Sequence, residues 1–180
     1  LFDMFLAIDT STPYAGIALG DGRTLLSHIT WHSKFSHTKE LMPAIKQLLS
    51  EYKLSAKNLT DVCVSIGPGG FSSLRVGMSV AKGLAIAGDL NIAGIGTLEL
   101  EAYPYFNQEL PVCSMILSGK SDIASAVFSS DGSRITEDTI SSPEQLSESI
   151  QTETLFCGEG LTIHYNIIKE KLGELALITE

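Results

Sequence analysis

The sequence predicts an α/β chain in two successive parts, each a short antiparallel strand meander leading into helix and strand. Three observations carry this. Apolar runs of strand length, separated by turn residues, open the chain and recur after Pro111. A 3.6-residue apolar period takes over at Leu41, Met42, Ile45, Leu48, Leu49 and Tyr52. The strand–helix–strand order over 62–95 demands a right-handed crossover onto a parallel neighbour. At 180 residues and 44% hydrophobic content the chain can bury a real core and is not disordered.

The elements follow in order. Residues 4–10 form the first strand, Ser11-Thr12-Pro13-Tyr14 a turn, and Gly16–Leu19 the second strand. Asp21-Gly22 is a hairpin signal, because both residues tolerate positive φ, and Leu25–Trp31 completes a meander. A helix over 37–52 follows, with Ser36 as its N-cap and Pro43 in conflict, since proline past the first turn removes a backbone bond and kinks a helix. Val62–Ile66 is apolar enough for mid-sheet, and a glycine-rich turn then runs into a second helix over about 72–87 and a strand at 92–95. Pro104 and Pro111 bracket a loosening of the pattern, which places the boundary between 1–102 and 103–180. The second part has strands at 112–117, 123–129, 134–140 and 155–157. Its helices lie at 143–151, with Pro143 in the first turn, and at 162–172. It is expected to be small and cut short, because the sequence stops at Glu180 within an apolar run.

Charge and cysteine usage exclude several functions. Twelve Lys and Arg against 21 Asp and Glu give a net charge of −9 and a pI near 4.8, the wrong sign for a chain that holds nucleic acid alone. Any RNA role then needs a basic partner. Cys63, Cys113 and Cys157 lie far apart, outside metal-ligand spacing, and read as reduced thiols of a cytosolic protein. No apolar run reaches the ~18 residues of a membrane span. The start, LFDMFLAID, is short and acidic, unlike a signal peptide, and Leu1 in place of Met implies a processed or missing N-terminus.

Four constellations could carry chemistry. Asp9-Thr10-Ser11-Thr12, at the end of the first strand, offers hydroxyls and amides to a phosphate and a carboxylate to a metal through water, or is an ordinary hairpin with internal hydrogen bonds. Gly67-Pro68-Gly69-Gly70, with Arg75 beyond it, precedes a helix and suits an anion, or is a turn that needs glycine for its backbone. It lacks the Lys-Ser or Lys-Thr of a Walker loop. Ser73, Gly77, Ala81 and Ala85 recur four apart and form a small-residue stripe, packed within the chain or against a second subunit. Gly77 and Gly83 each cost ~1 kcal/mol against Ala in a helix, so a close neighbour must offset them. His28 and His32 fall on a strand, ~13 Å apart along it, which is too far for a shared metal. His37 and His164 have no evident partners, and no Ser-His-Asp or Cys-His set is present.

At this point the sequence resembles the bacterial TsaB (YeaZ) family. AIDTST at 7–12 and GPGGFSSLRVGMSVAKGLA at 67–85 look like that family's AIDTST and GPGSFTGLRIG…AKGLA. SHTKELMPAI at 36–45 is similar to its H-S-x-x-L-x-P-x-I helix, which accounts for Pro43, and GIGTLELEA at 94–102 resembles G-V-S-T-L-E-A-L-A. The motifs occur in family order over about residues 4–102, with Gly70 for Ser, Ser72 for Thr and Ser73 for Gly. Beyond Pro104 the match fades, and SGKSDIASAVF at 118–128 replaces the family's D-A-R-x-x-E-V-Y strand.

The resemblance implies an actin/Hsp70/sugar-kinase-like (RNase H-like) fold of two related lobes. It implies a non-catalytic paralogue that pairs with the catalytic subunit TsaD, joined by the ATPase TsaE, to make threonylcarbamoyladenosine next to the anticodon of tRNA. The positions of TsaD's H-x-x-x-H metal motif correspond to Thr97 and Glu101, a poor ligand pair, so no catalytic residue and no metal is expected. ATP or ADP is expected only in the complex, and tRNA only through TsaD. The family's partner face lies on the two N-lobe helices and also serves self-association, which nominates Leu41, Ile45, Leu48, Leu49, Ser73, Gly77, Ala81 and Ala85. A cytoplasmic protein with no membrane partner follows. The alternative is an ATP-dependent phosphotransferase of the same fold using Asp9 and the 67–70 loop. The family's older protease label finds no supporting residues.

Overall fold

The computed structural model describes residues 3–22, 24–34 and 36–179, so Leu1, on which the reading of the N-terminus rests, lies outside them. The chain divides into two compact units, Leu1–Gly96 and Thr97–Glu180.

In the first unit the strands are β1 (Met4–Asp9), β2 (Tyr14–Asp21), β3 (Thr24–His32), β4 (Asp61–Ser65) and β5 (Asn91–Ile95). They lie in the order β3-β2-β1-β4-β5. The first three are antiparallel neighbours, and β4 and β5 run parallel to β1. Helix α1 (His37–Glu51) fills the β3–β4 connection and α2 (Phe71–Gly88) the β4–β5 crossover. Alternation sets the core: Leu6, Ile8, Ile17, Leu19, Val62 and Val64 share one face of the sheet. Against that face pack Leu41, Ile45, Leu48 and Leu49 of α1 and Ala81 and Ala85 of α2. Each large aliphatic side chain buried there contributes ~1.5–3 kcal/mol.

Two local expectations at α1 are corrected. Ser36 occupies the N-cap, but its hydroxyl does not cap; its carbonyl accepts from Lys39 and Glu40 N–H instead. The helix runs on through Pro43 without a break, and the proline is exposed, so the missing bond falls on the solvent side.

The second unit repeats the plan. Its strands are β6 (Val112–Ser118), β7 (Asp122–Phe128), β8 (Thr139–Ser141), β9 (Thr154–Cys157) and β10 (Ala176–Ile178). Their order is β10-β9-β6-β7-β8, with β9 parallel to β6 and β10 parallel to β9. This is the first unit's arrangement, strand for strand. The unit carries a five-stranded sheet, and the apolar run near the end is its strand β10, parallel to β9. The strand expected over 134–140 shrinks to 139–141 plus one bridge, Phe128 to Arg134. Between them Ser129, Asp131 and Ser133 hydrogen-bond into a tight turn.

Sheet two is covered on both faces, which explains the near-continuous burial of β6 and β7. Helices α4 (Pro143–Ser149) and α5 (Glu159–Leu172) place Leu146, Leu161 and Ile168 against Cys113, Met115 and Phe156. Helix α3 (Thr97–Ala102) covers the other face, with Leu98 and Ala102 against Val112, Ile116 and Ala124. That packing moves the division between units to Gly96, ahead of the boundary at 102 read from the sequence.

Candidate functional site

The two polar motifs of the first unit meet. β1 ends at Asp9, and β4 turns into α2 through residues 66–70, so the neighbouring parallel strands deliver both loops to one end of the sheet. Thr10 Oγ1 donates to the Ser73 carbonyl in the first turn of α2, at 2.7 Å. The Gly70 N–H donates to the Ser11 carbonyl at 2.8 Å. Thr10, Ser11 and Thr12 are all buried. Asp9 accepts from both the N–H and the hydroxyl of Ser11, at 2.9 and 2.6 Å. Thr12 Oγ1 exchanges hydrogen bonds with the backbone of Tyr14, and Ser73 Oγ donates to the Gly70 carbonyl. One oxygen of Asp9 and the hydroxyls of Thr10, Ser11, Thr12 and Ser73 therefore have partners inside the loop pair.

The glycines are where the backbones touch. A Cβ on Gly77 would sit 2.4 Å from Thr10 Oγ1, and one on Gly69 2.4 Å from the Ser11 carbonyl oxygen. The Gly67–Pro68 peptide is cis, and the Arg75 guanidinium stacks over the Phe71 ring at 4.0 Å. The neighbour that offsets the helix-interior cost of Gly77 is therefore Thr10 of the same unit.

The helix residues nominated as a partner face point the other way. Leu41, Ile45, Leu48, Leu49, Gly77, Ala81 and Ala85 are buried against the sheet of their own unit, and Ser73 is half-buried with its hydroxyl on Gly70. The sheet's apolar face needs that cover, so these residues form the core and are not available to a partner. The exposed surface of the two helices is different. On α1 it includes Met42, Pro43, Lys46 and Gln47; on α2, Phe71, Ser72, Ser79, Lys82, Gly83 and Ile86. Ile86 is 85% exposed and Phe71 70%. Nothing lies within 4 Å of a Cβ built on Gly83. A helix-interior glycine with open space beside an exposed isoleucine is a feature that the small-residue stripe does not reveal. The available signal was that Gly83 and Ile86 fall off the Gly77–Ala81–Ala85 line.

The remaining candidates stay separate. Among the described residues no group of three or more His, Cys, Asp and Glu could hold a metal. Thr97 is buried on α3, and the Glu101 carbonyl accepts from the Cys157 thiol at 3.5 Å. His28 and His32 lie on β3, opposite Ala18 and Tyr14, and His32 packs edge-on against the Tyr14 ring. Burial pushes the Cys113 thiol far up; burial and then the charge of Glu101 push Cys157 up to about 12. Partial burial and then Asp61 raise Cys63. None of the three is poised as a thiolate nucleophile. Among the described residues no helix is long and apolar enough to cross a membrane.

Two successive units, each with a five-stranded sheet in the order 3-2-1-4-5 and two crossover helices on one face, define the actin-like ATPase fold. A protein of that fold from Bacteroides thetaiotaomicron superposes with a TM-score of 0.50 at 9% identity, over 98% of this chain and 91% of that one. YeaZ from Pseudomonas aeruginosa superposes with a TM-score of 0.80 at 20% identity, over 91% of this chain and 79% of that one. The family described as "TsaD: tRNA N6-adenosine threonylcarbamoyltransferase" matches residues 24–179, and the chain belongs to it, on the TsaB (YeaZ) side. The tRNA threonylcarbamoyladenosine biosynthesis protein TsaB of Bacillus subtilis (strain 168) is 35% identical over 94 residues. That match covers 52% of this chain but 41% of the relative, less than half of its length.

Proposed function

We propose that the chain is a non-catalytic subunit in the formation of threonylcarbamoyladenosine on tRNA. It pairs with a TsaD-type transferase subunit, and a TsaE-type ATPase joins the pair. It acts in the cytoplasm, and tRNA is reached through the transferase, since a chain at −9 repels phosphate. Nucleotide, ATP or ADP, enters only with the assembled complex. The docking surface is the outward side of α1 and α2, and the same surface serves self-association when the partner is absent.

The observation that carries this reading is the exposed Gly83–Ile86 surface. Gly83 costs the isolated helix ~1 kcal/mol, and among the described residues no atom outside its own stretch of helix backbone lies within 4 Å of a Cβ built there. A second helix packed there would use the space, since small residues let helices approach closely. In the phosphotransferase alternative only one Asp9 oxygen would act, because the other already accepts both hydrogen bonds from Ser11.

The test is Ile86→Arg. Chromatography with light scattering follows the chain mixed with its organism's TsaD, alongside an assay of tRNA threonylcarbamoylation. The variant should keep the wild-type thermal midpoint, lose the heteromeric species and lose the modification. An intact complex with full modification overturns the proposal, and ATP turnover by the isolated wild-type chain would favour the phosphotransferase.

A further inference from the structure

We infer that the outward side of α1 and α2 is met by an acidic protein surface, with carboxylates ringing an apolar centre. The inference rests on the docking surface proposed above and adds the chemistry of its partner.

The distribution of charge carries the first part of the argument. The first unit holds eight of the twelve Lys and Arg but seven of the 21 Asp and Glu, so the second unit carries the whole excess of acid. Within the first unit, cations gather on the outward side of the helices. Helix α2 contains Arg75 and Lys82 and no acidic residue. Arg75, Ser79, Lys82 and Ile86 recur at helical spacing and form one exposed line. On α1, Lys39, Pro43 and Lys46 form a second exposed line. The acids of α1 lie elsewhere. Glu40, Gln47 and Glu51 follow their own line, on the side next to β3. There the Trp31 indole N–H donates to Glu40 at 3.0 Å, Gln47 donates to Glu51, and the Tyr52 hydroxyl donates to the Leu26 carbonyl. Among the described residues Lys39, Lys46, Arg75 and Lys82 enter no ion pair; the salt bridge present joins Arg134 to Asp138.

The make-up of this surface selects the occupant. Ile86 stands fully out from α2, with the cations of both helices around it. An apolar centre with a polar rim is the anatomy of a protein interface. Carboxylates of a partner match four unpaired cations at that rim, whereas a basic partner meets like charge at each of them. A second copy of this chain brings Arg75 and Lys82 towards their own kind, so it holds this face only until a partner with carboxylates displaces it. A phosphate backbone offers charge but nothing for Ile86 to bury against.

The test is the salt dependence of association between the purified chain and its organism's TsaD, followed by stopped flow, for wild type and for Lys46→Glu/Lys82→Glu. Both side chains are exposed, so the double variant should keep the wild-type thermal midpoint. Wild-type association should slow at least ~tenfold between about 50 mM and about 500 mM salt, as screening shortens the reach of each charge. At the lower salt the double variant should associate at least ~tenfold more slowly than wild type, and further salt should change it little. A wild-type rate that ignores salt, with a double variant that associates equally fast, overturns the inference. If Ile86→Arg still abolishes that complex, the docking surface stands and only the acidity of the partner is lost. If wild type forms no complex at all, the docking surface fails and the inference fails with it. Tight binding of the organism's tRNA by the isolated chain, lost in the double variant, also overturns it, because the cations would then serve phosphate.

Discussion

Gly77 and Gly83 lie in the same helix, six residues apart, and replacing each by alanine should move stability in opposite directions. Alanine is favoured over glycine in a helix interior by ~1 kcal/mol, and at Gly83 nothing opposes that gain. Gly83→Ala should therefore stabilise the isolated chain by ~1 kcal/mol. At Gly77 the new methyl would sit 2.4 Å from Thr10 Oγ1. Overpacking of this kind costs ~1–3 kcal/mol. The displaced hydroxyl also loses its 2.7 Å bond to the Ser73 carbonyl, where an unpaired buried group costs a further ~1–3 kcal/mol. After the propensity gain, Gly77→Ala should destabilise by ~1–5 kcal/mol. The cause can be isolated with Thr10→Ala, because Thr10 Cβ lies 3.5 Å from the new methyl, an ordinary contact. In that background Gly77→Ala should turn stabilising, by ~1 kcal/mol, so the two sites couple strongly. The chain's single tryptophan, Trp31, lies in the first unit and donates to Glu40, so its fluorescence in urea reports that unit's unfolding. With a slope of ~1–3 kcal/mol per molar urea, the wild-type and Gly77→Ala midpoints should be clearly separated. If Gly77→Ala stabilised the chain as much as Gly83→Ala does, the Thr10–Gly77 contact would not constrain this fold.

Three further outcomes follow from burial and titration. Ala81 is wholly buried, so Ala81→Arg should unfold the first unit at room temperature and abolish its circular dichroism, whereas Ile86→Arg leaves the spectrum intact. Half-burial raises the Glu159 carboxyl above its ordinary 4.5, with a Leu117 backbone hydrogen bond opposing. A raised folded-state value contributes stability that is complete below 4.5 and is lost as pH climbs through it, so Glu159→Gln should raise the thermal midpoint at about pH 7 and leave it unchanged in acid. Thiol titration of the native chain should modify Cys63 slowly, with Cys113 and Cys157 reacting only after unfolding.

Periodicity made much of the first unit legible. The strand expected over 4–10 runs from Met4 to Asp9, and the helix expected over 37–52 ends at Glu51, because alternation and the 3.6-residue repeat each change abruptly there. What periodicity does not encode is the destination of an apolar stripe. Leu41, Ile45 and Leu48 would look the same on a helix that covers its own sheet and on one that covers a partner. The partner reading fails because Leu6, Ile8 and Ile17 have no other cover. In the second unit a three-residue strand such as β8 has too few positions to show alternation, and Arg134, which an antiparallel bridge joins to Phe128, pairs with Asp138 instead of extending a ladder.

The repeated topology also bears on the glycine-rich turn. In the first unit a Cβ on Gly69 would meet the Ser11 carbonyl oxygen at 2.4 Å. In the second unit β9 turns into α5 through Gly158, whose Cβ would meet the Met115 carbonyl oxygen at the same 2.4 Å. Both turns leave a parallel strand for a helix beside the first strand of the unit, and both bring backbone onto backbone. A side chain is excluded there by the crossover itself, so glycine at Gly67, Gly69 and Gly70 is not by itself a sign of phosphate. The polar surroundings differ: Asp9, Thr10 and Ser11 bond to one another and to α2 in the first unit, while the second has Met115. Gly69→Ala and Gly158→Ala should each destabilise their own unit by ~1–3 kcal/mol in the absence of any ligand. A Gly69→Ala chain that unfolded like wild type but no longer supported tRNA modification would instead assign that turn to a ligand.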